Sequence, residues 1–302
     1  MVNKKTQIQV LIVLCGLLSF KSSLAQDYQL AGFKYAHYPK SKMKDVSGNQ
    51  ETSFNEIGGF INIPTILKKD TSIMVNGLGY AQVEASMYNY LALNNTDVLS
   101  KKLQMVYYQF SLIHKWNDKW ILAISLKPTL ASDFEEKLSI NDLVFQGGAF
   151  VTRKINDKLK IGAGVVNSTR WGSPIVIPTI NMHYKHNRHT INAILPISAK
   201  YTYSFLPSKK LNLGLGYGRN GADFNVYDSN FPELDKINYS RANVGMIGNY
   251  QLGKILRFEI SGGISTGRTY RLVDRDQNLH NYNSKASPYL NFGIVFVPPK
   301  KD

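Results

Sequence analysis

The densest group of residues that could carry chemistry is a basic run at 183–189. It places His183, His186 and His189 within seven residues, and histidine is a common metal ligand. Successive side chains of an extended strand point to opposite faces, so His183 and His186 fall on different faces and His189 lies beyond a turn. The spacing therefore favours a basic hairpin that faces water and lipid headgroups. No metal site and no other cofactor is expected.

A second group is acidic and comprises Asp133, Glu135, Glu136 and Asp142. Paired carboxylates can bind Ca²⁺ or act as general acid and base. The stretch has neither the ligand spacing nor the glycine of an EF-hand loop. It is interpreted as a solvated acidic loop.

Acyl-transfer or proteolytic chemistry needs a nucleophile or a water molecule next to a base. His37, His114 and His280 stand apart from any Gly-x-Ser-x-Gly or His-x-Ser pattern. The sequence therefore predicts no catalytic residue and a protein that is not an enzyme.

The first 25 residues have the features of a secretory signal peptide. Lys4 and Lys5 precede a largely apolar run at 8–20, and Ser23 and Ala25 supply small residues before a cleavage site at Gln26. The run is too short for the ~20 residues of a transmembrane helix. We expect residues 1–25 to be removed and residues 26–302 to form one domain.

Composition excludes several classes of protein. One cysteine excludes a disulfide framework and a multi-cysteine zinc site, and 43% hydrophobic with 19% charged residues excludes disorder. The net charge of +15 is scattered, and no RNP-like, zinc-finger or helix-turn-helix pattern accompanies it. We expect no nucleic-acid partner, and the basic charge suits anionic lipid headgroups.

The chain after residue 25 alternates with period two, which is typical of strands. Between 119 and 130, Trp120, Leu122, Ile124 and Leu126 share one face. Short polar connections alternate with longer ones at 39–52, 87–101, 131–141, 169–174, 222–236 and 271–285, as in transmembrane barrels with short periplasmic turns and long external loops. The sequence predicts an all-β fold, a single antiparallel transmembrane β-barrel.

The strand count depends on residues 189–206. If Pro196 marks a tight external turn between two short strands, the count is fourteen. If the segment is one long strand the number becomes odd, and twelve strands with a plug or loop is the remaining alternative.

The same parity assigns residues to the two faces of the barrel wall. Trp116 and Trp120 flank a tight turn on the lipid-facing parity and are predicted to lie in an interfacial aromatic girdle. Residues of the opposite parity carry isolated charges and are predicted to line the lumen. These charges are Glu56, Lys127, Arg241, Arg257 and Glu259.

Three arginines flank the sixth long connection, namely Arg268, Arg271 and Arg275. Arginine binds phosphate in fork geometry, so they are candidates for contacts with lipopolysaccharide phosphates. Ordinary surface ion pairs with Asp274 and Asp276 explain the presence of these arginines equally well.

A set of residues between 171 and 214, mostly glycine, proline and aromatic, forms a further pattern. Its members are Trp171, Gly172, Ser173, Pro174, Pro178, Tyr184, Asn192, Leu195, Pro196, Tyr201 and Gly214. Together with the expected cleavage site, the pattern resembles an uncharacterised outer-membrane β-barrel family common in Bacteroidetes-type bacteria. The resemblance implies a barrel fold and location in the outer membrane. For such a barrel we expect outer-membrane lipid, lipopolysaccharide and the barrel-assembly machinery as partners. It brings no catalytic residues.

Three hypotheses about function follow. The favoured one is a small pore or transport channel whose charge preference is set by lumenal charges. The alternative is a structural or interaction barrel with a blocked lumen whose loops bind lipopolysaccharide or a partner. A barrel enzyme acting on lipid is the least favoured.

Overall fold

The computed structural model describes residues 28–44, 49–67, 71–88, 98–205, 210–227, 234–276 and 278–299. The expected signal peptide and its cleavage site lie outside these ranges. Within them, no helix is long and apolar enough to cross a membrane. Apart from one 3₁₀ turn at Ile140–Asp142, every regular element is a β-strand.

The strands follow one another as antiparallel neighbours. They are β1 (Ala31–Lys42), β2 (Glu51–Leu67), β3 (Ser72–Tyr88), β4 (Val98–Lys115), β5 (Trp120–Ser132), β6 (Leu143–Lys154), β7 (Leu159–Trp171), β8 (Ser173–His186), β9 (His189–Leu195), β10 (Ser198–Ser204), β11 (Leu211–Asn225), β12 (Leu234–Leu252), β13 (Leu256–Asp274), β14 (Leu279–Ser284) and β15 (Ser287–Phe296).

The sheet closes on itself as a fourteen-stranded barrel. β15 pairs with both β1 and β13. β14 pairs with Arg268–Val273 of β13 and β15 with its Leu256–Ser265 part, so β14 and β15 are two segments of one strand position. Closure satisfies the backbone groups that lipid cannot. The predicted antiparallel transmembrane barrel is confirmed, with the larger of the two strand counts.

The ambiguous segment 189–206 forms two short strands. β9 and β10 have seven residues each, and Pro196 and Ile197 connect them. Ile197 donates its backbone N–H to the Ile194 oxygen at 2.7 Å. The tight-turn interpretation of Pro196 is therefore confirmed, and it is what keeps the strand number even.

Large apolar side chains cover the outside of the wall, following the predicted alternation. Leu126 is 56% exposed, Phe292 47% and Met246 74%. Their inward-facing neighbours are small or polar. Exposing so many apolar side chains to water would be unfavourable, whereas the hydrocarbon core of a bilayer accommodates them.

The two ends of the barrel differ in their connections. The end with the short turns, such as Asn117–Asp118, is called the turn end, and the opposite end is the loop end. At the loop end, several strands extend into segments that were predicted as loops. For example, β3 continues to Tyr88 and β13 continues to Asp274. The predicted long connection at 169–174 is wrong: β7 and β8 are joined by Gly172 alone, which adopts a φ of +102°.

Candidate functional site: the barrel interior

The loop half of the barrel interior is filled by an apolar cluster. Phe224 is 0% exposed, and its ring lies 6.3 Å from that of Tyr239, which lies 5.6 Å from Phe54. The buried members are Ala36, Tyr38, Met43, Phe54, Val83, Ala85, Met87, Leu103, Ala131, Ala222, Phe224, Val226, Ile237, Tyr239, Tyr270, Leu272 and Tyr289. A lumen packed in this way resembles the core of a β-sandwich.

The cluster forms because the loop end of the β11–β12 hairpin reaches across the lumen. Asn225 pairs with Ser132 of β5, although five strands separate β11 from β5 along the wall. The Tyr227 N–H donates to Asp133 at 2.8 Å, and the Asn225 amide donates to Asp142 at 3.0 Å. The lumen is thus crossed by the wall's own strands.

The second face of the hairpin packs against the turn between β7 and β8. Arg170 donates a hydrogen bond from Nη1 to the Arg219 carbonyl oxygen at 2.7 Å. A Cβ on Gly221 would lie 2.6 Å from the Tyr239 oxygen and 2.7 Å from the Arg170 oxygen. Only glycine permits this approach, so position 221 fixes how closely the hairpin can dock.

A buried ion pair joins β2 and β12, which are four strand positions apart along the wall. Arg241 of β12, whose side chain is 1% exposed, pairs with Glu56 of β2. The Tyr239 hydroxyl donates to the same carboxylate at 3.0 Å, and the Arg241 guanidinium stacks 3.7 Å above the Tyr38 ring. Removing one partner of a buried pair is costly, so the buried Arg241 depends on the Glu56 carboxylate.

Arg268 does not lie where the sequence predicted. It is 3% exposed, its guanidinium lies 5.7 Å from the Phe54 ring, and among the described residues its three guanidinium nitrogens have no hydrogen-bond partner. The cause is a β-bulge: three residues of β13 advance against two of β12, and Gly267 adopts a φ of +56°. The extra residue reverses the parity and turns Arg268 into the lumen. Arg271 and Arg275 remain at the loop end, and Arg275 is exposed.

The turn half of the interior is hollow. It holds a cavity of about 980 Å³ lined mainly by polar side chains. On its wall Arg257 donates to Glu259 from Nε at 3.1 Å and from Nη2 at 2.8 Å. Lys34 lies 3.5 Å from the other oxygen of the same carboxylate. We call this cavity the lower chamber.

A smaller cavity of about 340 Å³ lies between the lower chamber and the apolar cluster. Lys34 and Asn291 line both cavities, so the two adjoin. Lys127 faces this middle chamber with its ammonium group 3.9 Å above the Tyr107 ring, and Arg170 and Glu56 line it as well. Among the described residues, the path from the turn end therefore reaches Glu56, and the apolar cluster lies beyond it.

All five predicted lumenal charges lie inside the barrel, in three different settings. Glu56 and Arg241 belong to the filled half, Lys127 to the middle chamber, and Arg257 and Glu259 to the lower chamber. Whether they set ion preference is a matter for experiment.

Sequence reasoning missed further interior cations, among them Lys34, Arg170 and Lys200. Phe33 and Tyr35 face outward. Because side chains alternate along a strand, the sequence pattern already indicated that Lys34 between them faces the lumen. Arg170 was assigned to a loop, and Lys200 belongs to the segment whose strand count was open.

The two tryptophans of the predicted girdle flank a tight turn. The Trp116 N–H donates to the Trp120 oxygen at 3.0 Å, and the two side chains are 68% and 37% exposed. Arg153 lies 5.6 Å above the Trp120 ring. Their contact with lipid headgroups remains a prediction.

The groups considered for metal or catalytic chemistry are separated. His183 contacts Asn192 at 2.5 Å, whereas His189 stacks on Tyr201 with ring centroids 6.0 Å apart. Among the described residues, no group of three histidine, cysteine or acidic side chains could hold a metal ion. One contact was unforeseen: Ser72 Oγ lies 2.8 Å from His114 Nδ1.

The acidic loop is partly structural. Burial raises the pKa of the Asp133 carboxyl, while hydrogen bonds from the Tyr227 and Glu135 N–H groups and the nearby Lys101 oppose that rise. Lys101 also donates to the Tyr227 oxygen at 3.0 Å. These contacts hold the β11–β12 hairpin against β5.

No curated protein matches this chain in sequence. Solved structures with a similar course of the chain include the Pseudomonas putida toluene transporter TodX, with 13% identity over 93% of this chain and 92% of that one and a TM-score of 0.48. An outer membrane channel from Pseudomonas putida F1 has 9% identity, coverage of 92% and 100%, and a TM-score of 0.46. A Pseudomonas aeruginosa FadL homologue has 9% identity, 89% coverage of both chains and a TM-score of 0.45.

A family model matches residues 21–297, almost the whole described barrel. The chain belongs to the family described as Domain of unknown function (DUF6268).

Proposed function

We propose that this protein is an outer-membrane transport channel that is closed at rest, with its filled half toward the cell exterior. The orientation follows the usual arrangement of short turns on the periplasmic side. The observation that carries the proposal is the course of the interior: a polar path enters from the turn end and ends at the Glu56–Arg241 pair beneath the apolar cluster.

This interior differs from that of an open diffusion pore, which needs a continuous aqueous lumen. It also differs from that of a barrel filled throughout, because about half of the interior is hollow. A transport cycle would require the β11–β12 hairpin to leave β5. The polar contacts that hold it against β5 are the bonds of Asn225, Tyr227 and Lys101. The apolar residues of the hairpin, such as Phe224 and Val226, would also have to leave the buried cluster.

The first test is single-channel recording of residues 26–302 refolded into a planar bilayer. The closed channel should show no steady conductance at low voltage and brief conductance steps at high voltage. A steady conductance at all voltages would contradict closure and support an open pore.

The second test asks whether the hairpin moves. Residues 26–302 contain no cysteine, so Asn225→Cys with Ser132→Cys would introduce the only disulfide across the lumen. The oxidised variant should lose the high-voltage steps, and reduction should restore them. The two single-cysteine variants are the matched controls.

A second candidate is a barrel whose lumen is permanently blocked and whose loops bind a partner. The Glu56–Arg241 pair favours it, because breaking a buried pair is costly. A chain that inserts in the membrane but never conducts, oxidised or reduced, would support this candidate over the channel.

A further inference from the structure

We propose that the lower chamber is a binding site for small, multiply charged organic or inorganic anions. The inference deepens the proposed function, because it gives the chemical class of the solute that the channel would hold. It depends on the excess of positive charge in the lining of the lower chamber.

The charge of the chamber wall is strongly unbalanced. Its lining includes six lysines and arginines but one acidic residue, Glu259. Arg257, Lys34 and the Gln29 amide, at 2.8 Å, all contact that carboxylate. The single negative charge is therefore already engaged, and an excess of positive charge faces a cavity of about 980 Å³.

The cations continue from the lower chamber into the middle chamber. Lys34, Lys200 and Arg257 line the lower chamber, and Lys34, Lys127 and Arg170 line the middle chamber. The acidic residues in these two linings are Glu259, Glu56 and Asp223. The five basic residues mark a basic track that ends below the Glu56–Arg241 pair. Like charges repel when they are brought together in a confined space of reduced dielectric constant. An anion that bridges them would remove this repulsion.

The arrangement favours several charges on one ligand over a single charge. The track consists of three lysines and two arginines spread over β1, β5, β7, β10 and β13, and lysine binds anions as a point charge. Amide and hydroxyl groups between the cations, such as Asn192 and Thr202, provide further hydrogen-bonding groups for an oxyanion. Carboxylate and phosphate groups share this chemistry.

Two probes distinguish these sources: citrate carries carboxylates and inorganic pyrophosphate carries phosphates. Binding to the refolded barrel in neutral detergent micelles is measured by isothermal titration calorimetry. Both anions should bind and compete, sucrose should not bind, and added salt should weaken binding because it screens the charges. Binding of only one anion would name the preferred group.

Variants locate the site. Lys200→Gln should weaken the affinity about fivefold and Lys200→Glu about 25-fold, since each unit of charge a few ångströms away in a solvated cavity is worth about 1 kcal/mol. Arg257→Gln should have an effect similar to that of Lys200→Gln. Lys158→Gln, at an exposed turn outside the chamber, is the control and should leave the affinity unchanged.

The absence of binding for both anions, or an equal loss in the control, would overturn the inference. This readout is independent of channel closure, because it is made without a membrane potential and on the resting protein. Anion binding combined with a permanently open pore would refute the proposed closure and leave the anion site intact. A closed channel that binds no anion would do the reverse.

Discussion

The two halves of the barrel fill their interiors in opposite ways. In the turn half, inward positions carry small or polar residues, such as Gly293 and Asn192, and the lumen remains hollow. In the loop half, inward positions carry rings such as those of Phe54 and Phe224, and the lumen becomes a core. In the described part of the chain, the strands of the wall themselves fill the loop half of the lumen.

The difference between the halves is also electrostatic. In the filled half Arg241 is paired and buried, whereas the cations of the hollow half outnumber their acidic partner. Arg241 has a carboxylate partner where water is excluded, although Arg268 in the same half has no hydrogen-bond partner among the described residues. Access to water in the hollow half allows an excess of one charge. The Glu56–Arg241 pair in the filled half is thus structural, whereas the excess cations of the hollow half are suited to binding a mobile ligand.

The largest expected effect comes from emptying the filled half. Phe54→Ala together with Tyr239→Ala removes two rings that pack against each other across the lumen, and each large-to-small change in a core costs about 3–5 kcal/mol. We expect a steady conductance in planar bilayers and a lower unfolding temperature. Phe292→Ala, which removes an outward-facing ring that is 47% exposed, is the matched control and should not conduct.

If the double variant conducts, its ion preference tests the hollow half. The excess of cations should make the opened lumen prefer anions. Adding Arg257→Glu should reduce or reverse this preference in reversal-potential measurements under a salt gradient. An opened lumen with no preference would show that the lower-chamber charges are screened from the passing ion.

A smaller effect distinguishes the two buried arginines of the filled half. Arg241→Met leaves the Glu56 carboxylate, which is 23% exposed and lines the middle chamber, without its cationic partner and should cost about 1–3 kcal/mol. Arg268→Met removes a guanidinium group without a partner among the described residues and should be neutral or stabilising. Urea unfolding in lipid vesicles measures both.

The double variant Glu56→Gln with Arg241→Met provides the check on this reasoning. It should recover most of the stability that the single Arg241 change loses, because no charge remains unpaired. Equal losses from Arg241→Met and Arg268→Met would mean that packing, and not pairing, sets their contribution.

Much of the wall was predictable from alternation alone. Strands such as β5 and β15 carry an uninterrupted apolar face, so their parity identifies which residues meet lipid and which face the lumen. The turn at Pro196 was one of two open interpretations, and its local sequence contained the signal. The five lumenal charges were identified from the same parity.

The closure of the lumen was not predictable in this way. One extra residue near Gly267 reverses the parity of β13 and moves Arg268 inward, a change that period-two analysis cannot register. The contact between Asn225 and Ser132 joins residues far apart in sequence, so no local pattern contains it. Sequence periodicity describes a wall, whereas the filling of its interior depends on long-range packing.

The smallest expected effect concerns the surface of the loop end. Arg271 and Arg275 remain near this surface and keep the proposed role of contacting lipopolysaccharide phosphates. Replacing both with glutamine should weaken retention of lipopolysaccharide about two- to tenfold, because exposed charges near an anionic surface contribute up to about 1 kcal/mol each and ion pairs there are weak. Co-purification with labelled lipopolysaccharide measures the effect. Arg268→Gln is an internal control: its side chain faces the lumen, so removing one positive charge there should leave retention unchanged, whereas Arg271→Gln alone should weaken it. An equal loss from these two single variants would mean that net charge, and not position on the outer surface, governs binding, and would erase at this end the distinction between the buried interior and the solvated exterior.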